Sequence, residues 1–275
     1  MTREAALPQD TGFSNVDGSA RADDLVDYLG RLARMLAGYR REDYLQLQLA
    51  PGARVLDVGC GAGEVCVELA ERVGAAGRVT GVDPSATMIE AARQRTATVV
   101  PPIDLREASI YALPFADASF DAVRAERVFQ HLEDPDAGLR EMIRVTRPGG
   151  RVMVIDPDHS QSGLGLDDPE DRKVYQASVR ALLAMIVNPC SGTRLRAAFV
   201  RAGLAQVSQV VRSFEIDYSD YARAIFLAER LEQAVAAGEV TAAAAARFTA
   251  CLAARAASGE FFANAIGYSV VGTRA

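Results

Sequence analysis

Short apolar segments alternate with amphipathic ones through the middle of the chain. The apolar segments predict strands, and the amphipathic ones, whose apolar residues recur at helical spacing, predict helices. The predicted strands are 53–58, 78–82, 103–108, 120–125 and 150–156, and the predicted helices are 64–72, 85–95 and 136–146. Alternation at this length is typical of a parallel sheet covered by helices, so we expect an α/β domain here.

The chain on either side of this region follows a different pattern. Residues 1–20 are polar, which predicts a loose tail, and residues 21–49 carry apolar positions at helical spacing. The last third predicts helices at 169–187, 192–203, 219–237 and 241–257 and strands at 206–216 and 265–273. We therefore expect four segments, which are a tail and helical cap at 1–50, a core with a helical lid at 51–218, a helical insertion at 219–262 and a last core strand at 263–275.

The composition narrows the class of protein. The 275 residues are 49% hydrophobic, which is typical of a globular protein, and carry a net charge of -6. Acidic and basic residues are interspersed, so the sequence lacks the basic patch that would predict nucleic-acid binding. No apolar run approaches the about 20 residues that span a bilayer, and the N-terminus lacks the layout of a signal peptide. We therefore expect a cytoplasmic protein without membrane insertion. Four cysteines without CxxC spacing and two histidines do not predict a metal site.

A pattern with chemical meaning begins where the first predicted strand ends. Asp57 closes the apolar run, and Gly59, Gly61 and Gly63 follow at alternate positions. Glycines at this spacing let the backbone approach a ligand closely, with the N-terminus of the next helix pointing at it. A tight turn without a ligand is the alternative. Asp57 and the GxGxG spacing both differ from the GxGxxG pattern of dinucleotide-binding folds.

A second carboxylate follows the next predicted strand. Asp83, in the segment Asp83-Pro84-Ser85, falls at the strand end, where a carboxylate would lie over the same crevice and accept both hydroxyls of a ribose. The alternative is that Asp83 only caps the helix at 85–95. Met88, one turn into that helix, packs either on an adenine face or in the core.

Residues 54–63 resemble the first motif of the class I S-adenosylmethionine (SAM) dependent methyltransferases, of the small-molecule type related to the ubiquinone and menaquinone biosynthesis enzymes. Segments that resemble the later motifs of this family follow in the family's order, at 83–85, 108–115, 119–132 and 147–152. The resemblance implies a Rossmann-like sheet of seven mostly parallel strands with an antiparallel last strand. It also implies SAM as the cofactor and a small, apolar metabolite as the methyl acceptor, and it leaves the acceptor atom and the oligomeric state open.

The resemblance assigns cofactor contacts to residues of four loops. Ser109 stands where the family often has an acid that accepts from the adenine amino group, and the N–H of Ile110 would donate to the ring; a plain turn is the alternative for Ser109. The carbonyl of Ala125 would hold the methionine ammonium group. The residues expected at SAM are Asp57, Gly59, Cys60, Gly61, Gly63, Asp83, Pro84, Met88, Ser109, Ile110, Ala125 and Glu126.

Two histidines are candidates for a general base, which methyl transfer needs only when the acceptor carries a proton of high pKa. His131 follows the fourth predicted strand and His159 the fifth, so both can face the crevice. Packing against the helix at 136–146 is the alternative for His131. Six aromatic residues are candidates either for an acceptor pocket or for the core, namely Phe13, Tyr28, Tyr175, Phe226, Phe261 and Phe262.

Other functions compete with methyl transfer. An enzyme of the same fold that binds SAM can catalyse a reaction without methylation, such as cyclisation, because its cofactor site would look alike. Asp57 and the GxGxG spacing argue against an NAD-dependent oxidoreductase. No feature of the sequence favours a non-catalytic binding protein.

Overall fold

The computed structural model describes residues 16–18 and 22–275. In this part of the chain the helices are α1 (Ala22–Leu47), α2 (Glu64–Val73), α3 (Ala86–Thr96), α4 (Pro135–Val145), α5 (Pro169–Leu183), α6 (Ser191–Arg201), α7 (Tyr218–Ala224), α8 (Leu227–Ala236) and α9 (Ala242–Ser258). The strands are β1 (Arg54–Val58), β2 (Arg78–Asp83), β3 (Asp104–Glu107), β4 (Phe120–Glu126), β5 (Thr146–Pro157), β6 (Gly163–Leu164), β7 (Ala205–Ile216) and β8 (Ala263–Thr273). The predicted loose tail at 1–20 lies mostly outside the described residues.

The described strands form one sheet in the order β3-β2-β1-β4-β5-β8-β6, with β7 paired to β8. The pairs from β3 to β5 are parallel, and β8 runs antiparallel to β6. An order that starts near the middle and grows outward in both directions is that of doubly wound α/β folds. The predicted Rossmann-like fold class is confirmed, with the two-residue strand β6 as an addition to the seven predicted strands.

One predicted helix is wrong in its extent. The segment 219–237 is two helices, α7 and α8, rather than one. Phe226 separates them with a φ of 52°, in the left-handed region. An L-residue in that conformation cannot continue a right-handed helix, so the chain changes direction there.

The chain divides into two compact units, which we describe separately. The sheet unit comprises the described part of Gly12–Asp156 together with Ser191–Val210 and Tyr268–Ala275. The helical unit, as far as it is described, comprises Pro157–Cys190 and Val211–Gly267. The four predicted segments have other boundaries, and that division stays a prediction.

Alternate residues of β1 face opposite sides of the sheet unit, as the period of a strand requires. Leu56 belongs to one buried apolar cluster, together with Met142 of α4. Val55 belongs to the other, together with Leu69 of α2 and Tyr44 of α1. Asp57 therefore shares the face of Val55, and it points towards the side that α1 and α2 cover.

The helical unit has an apolar core of its own. Phe248 and Leu252 of α9 are fully buried and pack with Leu231 of α8 and Val174 of α5. No helix in the described part of the chain is long and apolar enough to cross a membrane.

Candidate active site

The glycine turn after β1 is held between two other parts of the sheet unit. The N–H groups of Gly59 and Cys60 both donate to the carbonyl of Val82, at 2.7 and 2.9 Å. Gly59 has a φ of 70°, and a Cβ there would lie 2.3 Å from Cγ2 of Val128. Gly59 is therefore required by the chain's own packing as well as by any ligand, because both the conformation and the close approach exclude a side chain.

Asp83 joins the glycine turn to the end of β2. Its carboxylate accepts from the N–H of Gly61 and from the N–H of Ser85, each at 3.0 Å. The N-cap of α3 is Ser85, whose hydroxyl accepts from the N–H of Met88 at 3.1 Å, so capping is not the sole role of Asp83. Burial raises the pKa of Asp83 to about 6, although the two N–H groups oppose the shift. Asp83 is therefore mostly ionised at neutral pH.

Residues that the sequence did not single out lie against the start of α3. Asp17 accepts from the hydroxyl of Ser85 at 2.6 Å and from the N–H groups of Ala86 and Thr87 at 2.9 and 3.1 Å. Hydrogen bonds from Ser85 and Thr87 lower its pKa to about 2. Its neighbour Val16 packs on Met88, which is buried. A polar tail gives no local signal for this contact.

The loop after β3 places Ser109 and Ile110 in structural positions. The Ser109 hydroxyl accepts from the N–H of Tyr111 at 3.2 Å, which is a turn contact. The Ile110 side chain is buried in the same core cluster as Leu132. The turn alternative for Ser109 thus has direct support, and the adenine contacts of both residues stay predictions.

A buried ion pair joins the ends of β1 and β4. Asp57 and Arg124 are partners in the parallel register of these strands. Arg124 donates to Oδ1 of Asp57 at 2.9 Å, and its other terminal nitrogen donates to Oε2 of Glu126, two residues further along β4. Cys66 of α2 donates to the second oxygen of Asp57 at 3.6 Å. Asp57, which the sequence predicted beside the cofactor, is thus held by an arginine that the sequence did not single out.

The network continues into α1 and α2. Arg40 of α1 donates to Oε1 of Glu68 at 2.7 Å and lies 3.5 Å from Oε1 of Glu126. The hydroxyl of Tyr44 donates to Glu68 Oε2 at 2.7 Å. Two arginines thus hold Glu126 from two sides, one from β4 and one from α1.

Burial and charge oppose each other in this network. Burial raises the pKa of Asp57, and the Arg124 guanidinium works against that rise. Burial alone would also raise the pKa of Glu126, but Arg124 and Arg40 outweigh it and leave that pKa below its usual value. Glu126 is therefore firmly ionised at neutral pH.

The two candidate bases lie in different units. His131 belongs to the sheet unit and ends the single-turn helix Phe129–His131, and burial together with Arg127 lowers its pKa to about 4. His131 is therefore neutral throughout the usual assay range. His159 belongs to the helical unit, where its N–H donates to the carbonyl of Pro189 at 2.9 Å.

Asp156 is a further buried carboxyl group, at the end of β5. It is fully buried, and burial raises its pKa to about 7, although Ser191 opposes the shift. A carboxyl group in this state exchanges its proton near neutral pH, unlike Glu126 on the neighbouring strand.

The predicted cofactor residues lie at the carboxyl ends of β1 to β4, where open α/β sheets bind their ligands. Three neighbouring strands, in the order β2-β1-β4, carry a carboxylate here. Asp83 is the last residue of β2, Asp57 is the second-to-last residue of β1, and Glu126 is the last residue of β4. SAM carries a sulfonium, an ammonium and a ribose, which are groups that carboxylates bind by charge and by hydrogen bonds. This set of residues fits SAM.

Comparison with known proteins agrees with this geometry. Residues 56–154 match the protein-family model described as "Methyltransferase domain". The chain is 37% identical over 252 residues to an uncharacterised 37.1 kDa protein in transposon Tn4556 of Streptomyces fradiae, a match that covers 90% of this chain and 71% of that protein. It is 36% identical over 120 residues to the ubiquinone/menaquinone biosynthesis C-methyltransferase UbiE of Geotalea daltonii, covering 43% of this chain and 51% of that enzyme. The chain thus spans about half the length of the quinone-pathway relative.

Two solved structures share the fold. The YcgJ protein from Bacillus subtilis has a TM-score of 0.56 and 22% identity, covering 84% of this chain and 96% of that one. The [4+2]-cyclase SpnF has a TM-score of 0.51 and 21% identity, covering 85% of this chain and 80% of that one. At this identity the likeness concerns the fold alone.

Proposed function

We propose, from the premise that this chain belongs to the SAM-dependent methyltransferases, that it transfers a methyl group to a small, apolar metabolite in the cytoplasm. The enzyme class and the cofactor follow from the family. The acceptor, the compartment and the roles of individual residues are the content of the proposal.

One observation carries the cofactor site. The hydrogen bond from the N–H of Gly61 to Oδ2 of Asp83 ties the glycine turn to the end of β2. It holds the Asp83 carboxylate beside the turn, so that one carboxylate and the backbone of the turn can contact the same ligand. Two roles follow for these residues, namely Asp83 as the acceptor of the ribose hydroxyls and the turn as the element that the ligand approaches closely.

The protein's task in this reaction is mostly one of placement. When bound, SAM supplies an activated methyl group on a sulfonium. Asp57, Asp83 and Glu126 would hold the cationic and ribose groups, and the Ala125 carbonyl would accept from the ammonium group. Fixed carboxylates and a fixed turn would orient the donor, and alignment of donor and acceptor lowers the barrier of an in-line displacement.

An apolar acceptor is supported by relatives and by composition of the helical unit. The name of the Geotalea daltonii relative refers to ubiquinone and menaquinone biosynthesis. In the helical unit Phe261 packs against the apolar core, with ring centroids 5.5 Å from Tyr218 and 5.8 Å from Tyr221, which supports the core alternative for Phe261. Phe262 is 49% exposed and stays a candidate for an acceptor pocket. Two of the predicted pocket residues, Phe13 and the side chain of Tyr28, lie outside what the structure describes.

The general base stays a proposal, with His131 first and His159 second. A pKa of about 4 leaves His131 neutral and able to accept a proton, but only as a weak base. A flat activity profile between pH 6 and 9 therefore does not exclude His131. The better test compares His131→Gln with His159→Gln, measuring kcat beside the affinity for S-adenosylhomocysteine (SAH). If His131 is the base, His131→Gln lowers kcat, His159→Gln does not, and neither substitution changes the affinity for SAH.

The decisive experiment for the function follows the cofactor product. The protein is incubated with SAM and a panel of quinols, phenols and other small apolar acceptors, and SAH is measured by mass spectrometry. We expect SAH to accumulate together with a methylated acceptor. Consumption of an acceptor without SAH would point instead to cyclisation. Thermal unfolding with SAM or with NAD is the binding control, since only a bound ligand raises Tm.

A further inference from the structure

One face of β1 and β4 is apolar along most of its length and charged towards the carboxyl ends of the strands. Val55 and Ala122 lie on the same face and belong to a buried apolar cluster. Asp57 and Arg124, the next positions of that face, form an ion pair in which the arginine side chain is fully buried. The face thus changes from apolar to charged at the strand ends, next to the glycine turn.

Stability alone does not account for such a network. Taking charges out of water costs several kcal/mol per ion, and well-packed apolar residues in place of a buried ion pair are often as stable or more stable. The apolar residues at the neighbouring positions of this face show that such packing is available here. A role at the ligand site gives these charges a physical reason.

Of the two carboxylates that Arg124 binds, Glu126 has the greater access to solvent. The side chain of Glu126 is 11% exposed, whereas those of Arg124 and Arg40 are 0% and 4% exposed. Glu126 is the last residue of β4, at the end of the strand where the fold binds its ligands. The arginines lie behind it and fix both of its oxygens, Arg124 on Oε2 and Arg40 towards Oε1.

We propose that Arg124 is a positioning residue that holds Glu126 and Asp57 for the ammonium group of the amino-acid half of SAM, with Arg40 of α1 as a second support for Glu126. The inference rests on the proposed function. It assigns the donor's amino-acid end to a network anchored in α1, and its adenosine end to Asp83 and the glycine turn. Cys66, which donates to Asp57, also forms a hydrogen bond with Cys60 of that turn.

The choice of arginine is part of the argument. Arg124 binds two carboxylates at once through two terminal nitrogens, which its planar guanidinium does in a fixed geometry. A lysine would keep the charge, but as a single point on a flexible stem. Arg124→Lys should therefore preserve the buried charge while it loses the orientation of the two carboxylates.

The test compares two ligands that share adenosine. SAH contains the amino-acid half, and 5′-methylthioadenosine lacks it. Calorimetric titration of Arg124→Lys should show SAH binding weakened about 10-fold or more and methylthioadenosine binding changed less than about 2-fold. Arg147→Met, which breaks an exposed pair at the other end of β4, is the matched control and should leave both affinities unchanged.

Equal weakening of both ligands would overturn the inference, because a merely structural arginine disturbs the whole site. Unchanged SAH affinity would overturn it as well. Wild-type protein that binds neither SAM nor SAH nor methylthioadenosine would contradict the proposed function itself, which is a different result. If Arg124→Lys does not fold, Arg40→Met is the second variant, because it removes the support of Glu126 from α1. We expect it to weaken SAH binding about 3-fold or more and methylthioadenosine binding less. Equal effects on the two ligands would count against the proposal.

Discussion

Strand β4 carries an ion-pair group at each end, and the two groups differ in their access to water. At the start, Asp121 accepts from Arg147 at 2.6 Å and from the N–H of Arg54 at 2.8 Å. The Arg147 side chain is 46% exposed. At the other end, Arg124 is fully buried between Asp57 and Glu126. The contacts are chemically alike, and their surroundings are opposite.

The difference shows that burial, rather than distance, decides what an ion pair does. At the exposed end, water and salt compete for the charges, and such pairs contribute about 0–1 kcal/mol. At the buried end, each charge depends on its partner, because an uncompensated ion in the interior is costly. The exposed end can tolerate change, whereas the buried end fixes the orientation of side chains.

The largest effect is expected when the buried end is broken. Arg124→Met leaves Asp57 and Glu126 without their shared partner, and the free energy of unfolding should fall by about 3–5 kcal/mol in urea denaturation at pH 7.5. Replacing all three together (Asp57→Asn, Arg124→Met and Glu126→Gln) should recover most of that loss, since no unpaired charge remains. A single variant within 1 kcal/mol of wild type would contradict the prediction.

A buried carboxyl group whose pKa is raised should behave differently with pH, and Asp156 is such a group because burial outweighs the effect of Arg127. The folded pKa of Asp156, about 7, lies above its ordinary value of 3.8, so the folded state keeps a proton that the unfolded chain releases. Stability from this group is therefore present below about pH 4 and is lost as pH rises to about 7. Asp156→Asn lacks this loss and should gain up to about 3 kcal/mol over wild type between pH 4.5 and pH 8.

Unfolding curves of both proteins across that range measure the difference. The contribution of His131 to the pH dependence of stability has the opposite sign, because its pKa of about 4 lies below its ordinary value of 6.5. This contribution lowers the stability as pH falls from about 6.5 to 4. The double variant Asp156→Asn, His131→Gln separates the two contributions. A parallel pH dependence of Asp156→Asn and wild type would show that Asp156 does not titrate near neutral pH.

Asp83 lies between the two extremes, since backbone N–H groups rather than arginines hold it. Asp83→Ala should weaken SAM binding by about 1.5–3 kcal/mol, the range for a hydrogen bond to a charged group, as measured by calorimetric titration. Asp104→Ala is the control, since Asp104 lies on β3 in an exposed pair with Arg106. Unchanged affinity in Asp83→Ala would remove it from the ribose site.

The smallest effect is expected at the exposed end of β4. Arg147→Met should change the free energy of unfolding by less than about 1 kcal/mol, and added salt should reduce the difference further. Urea denaturation in low and high salt measures it. A loss as large as that of Arg124→Met would mean that exposure does not separate the two ends.

Much of the sheet unit was predictable because its signals are local. Each signal lies within a few consecutive residues, as do the apolar runs, the glycines after β1 and the acid at the end of β2. The break at Phe226 was missed because a left-handed residue inside a helical pattern has no compositional mark when it is not glycine or asparagine. Capping of α3 was the alternative role for Asp83, and the structure gives that cap to Ser85, because both residue types suit the position.

The sequence by itself determined the order of strands and helices and the glycine turn with its two acids, because periodicity and motif spacing belong to contiguous residues. Its resemblance to a known family indicated the cofactor. Only the tertiary structure decided how those acids are held. Asp57 and Arg124 are 67 residues apart and meet through the register of β1 and β4, and Arg40 meets Glu68 by the packing of α1 on α2. The tertiary structure also lowered the basicity of His131, because burial acts on its charged form and no local pattern records burial.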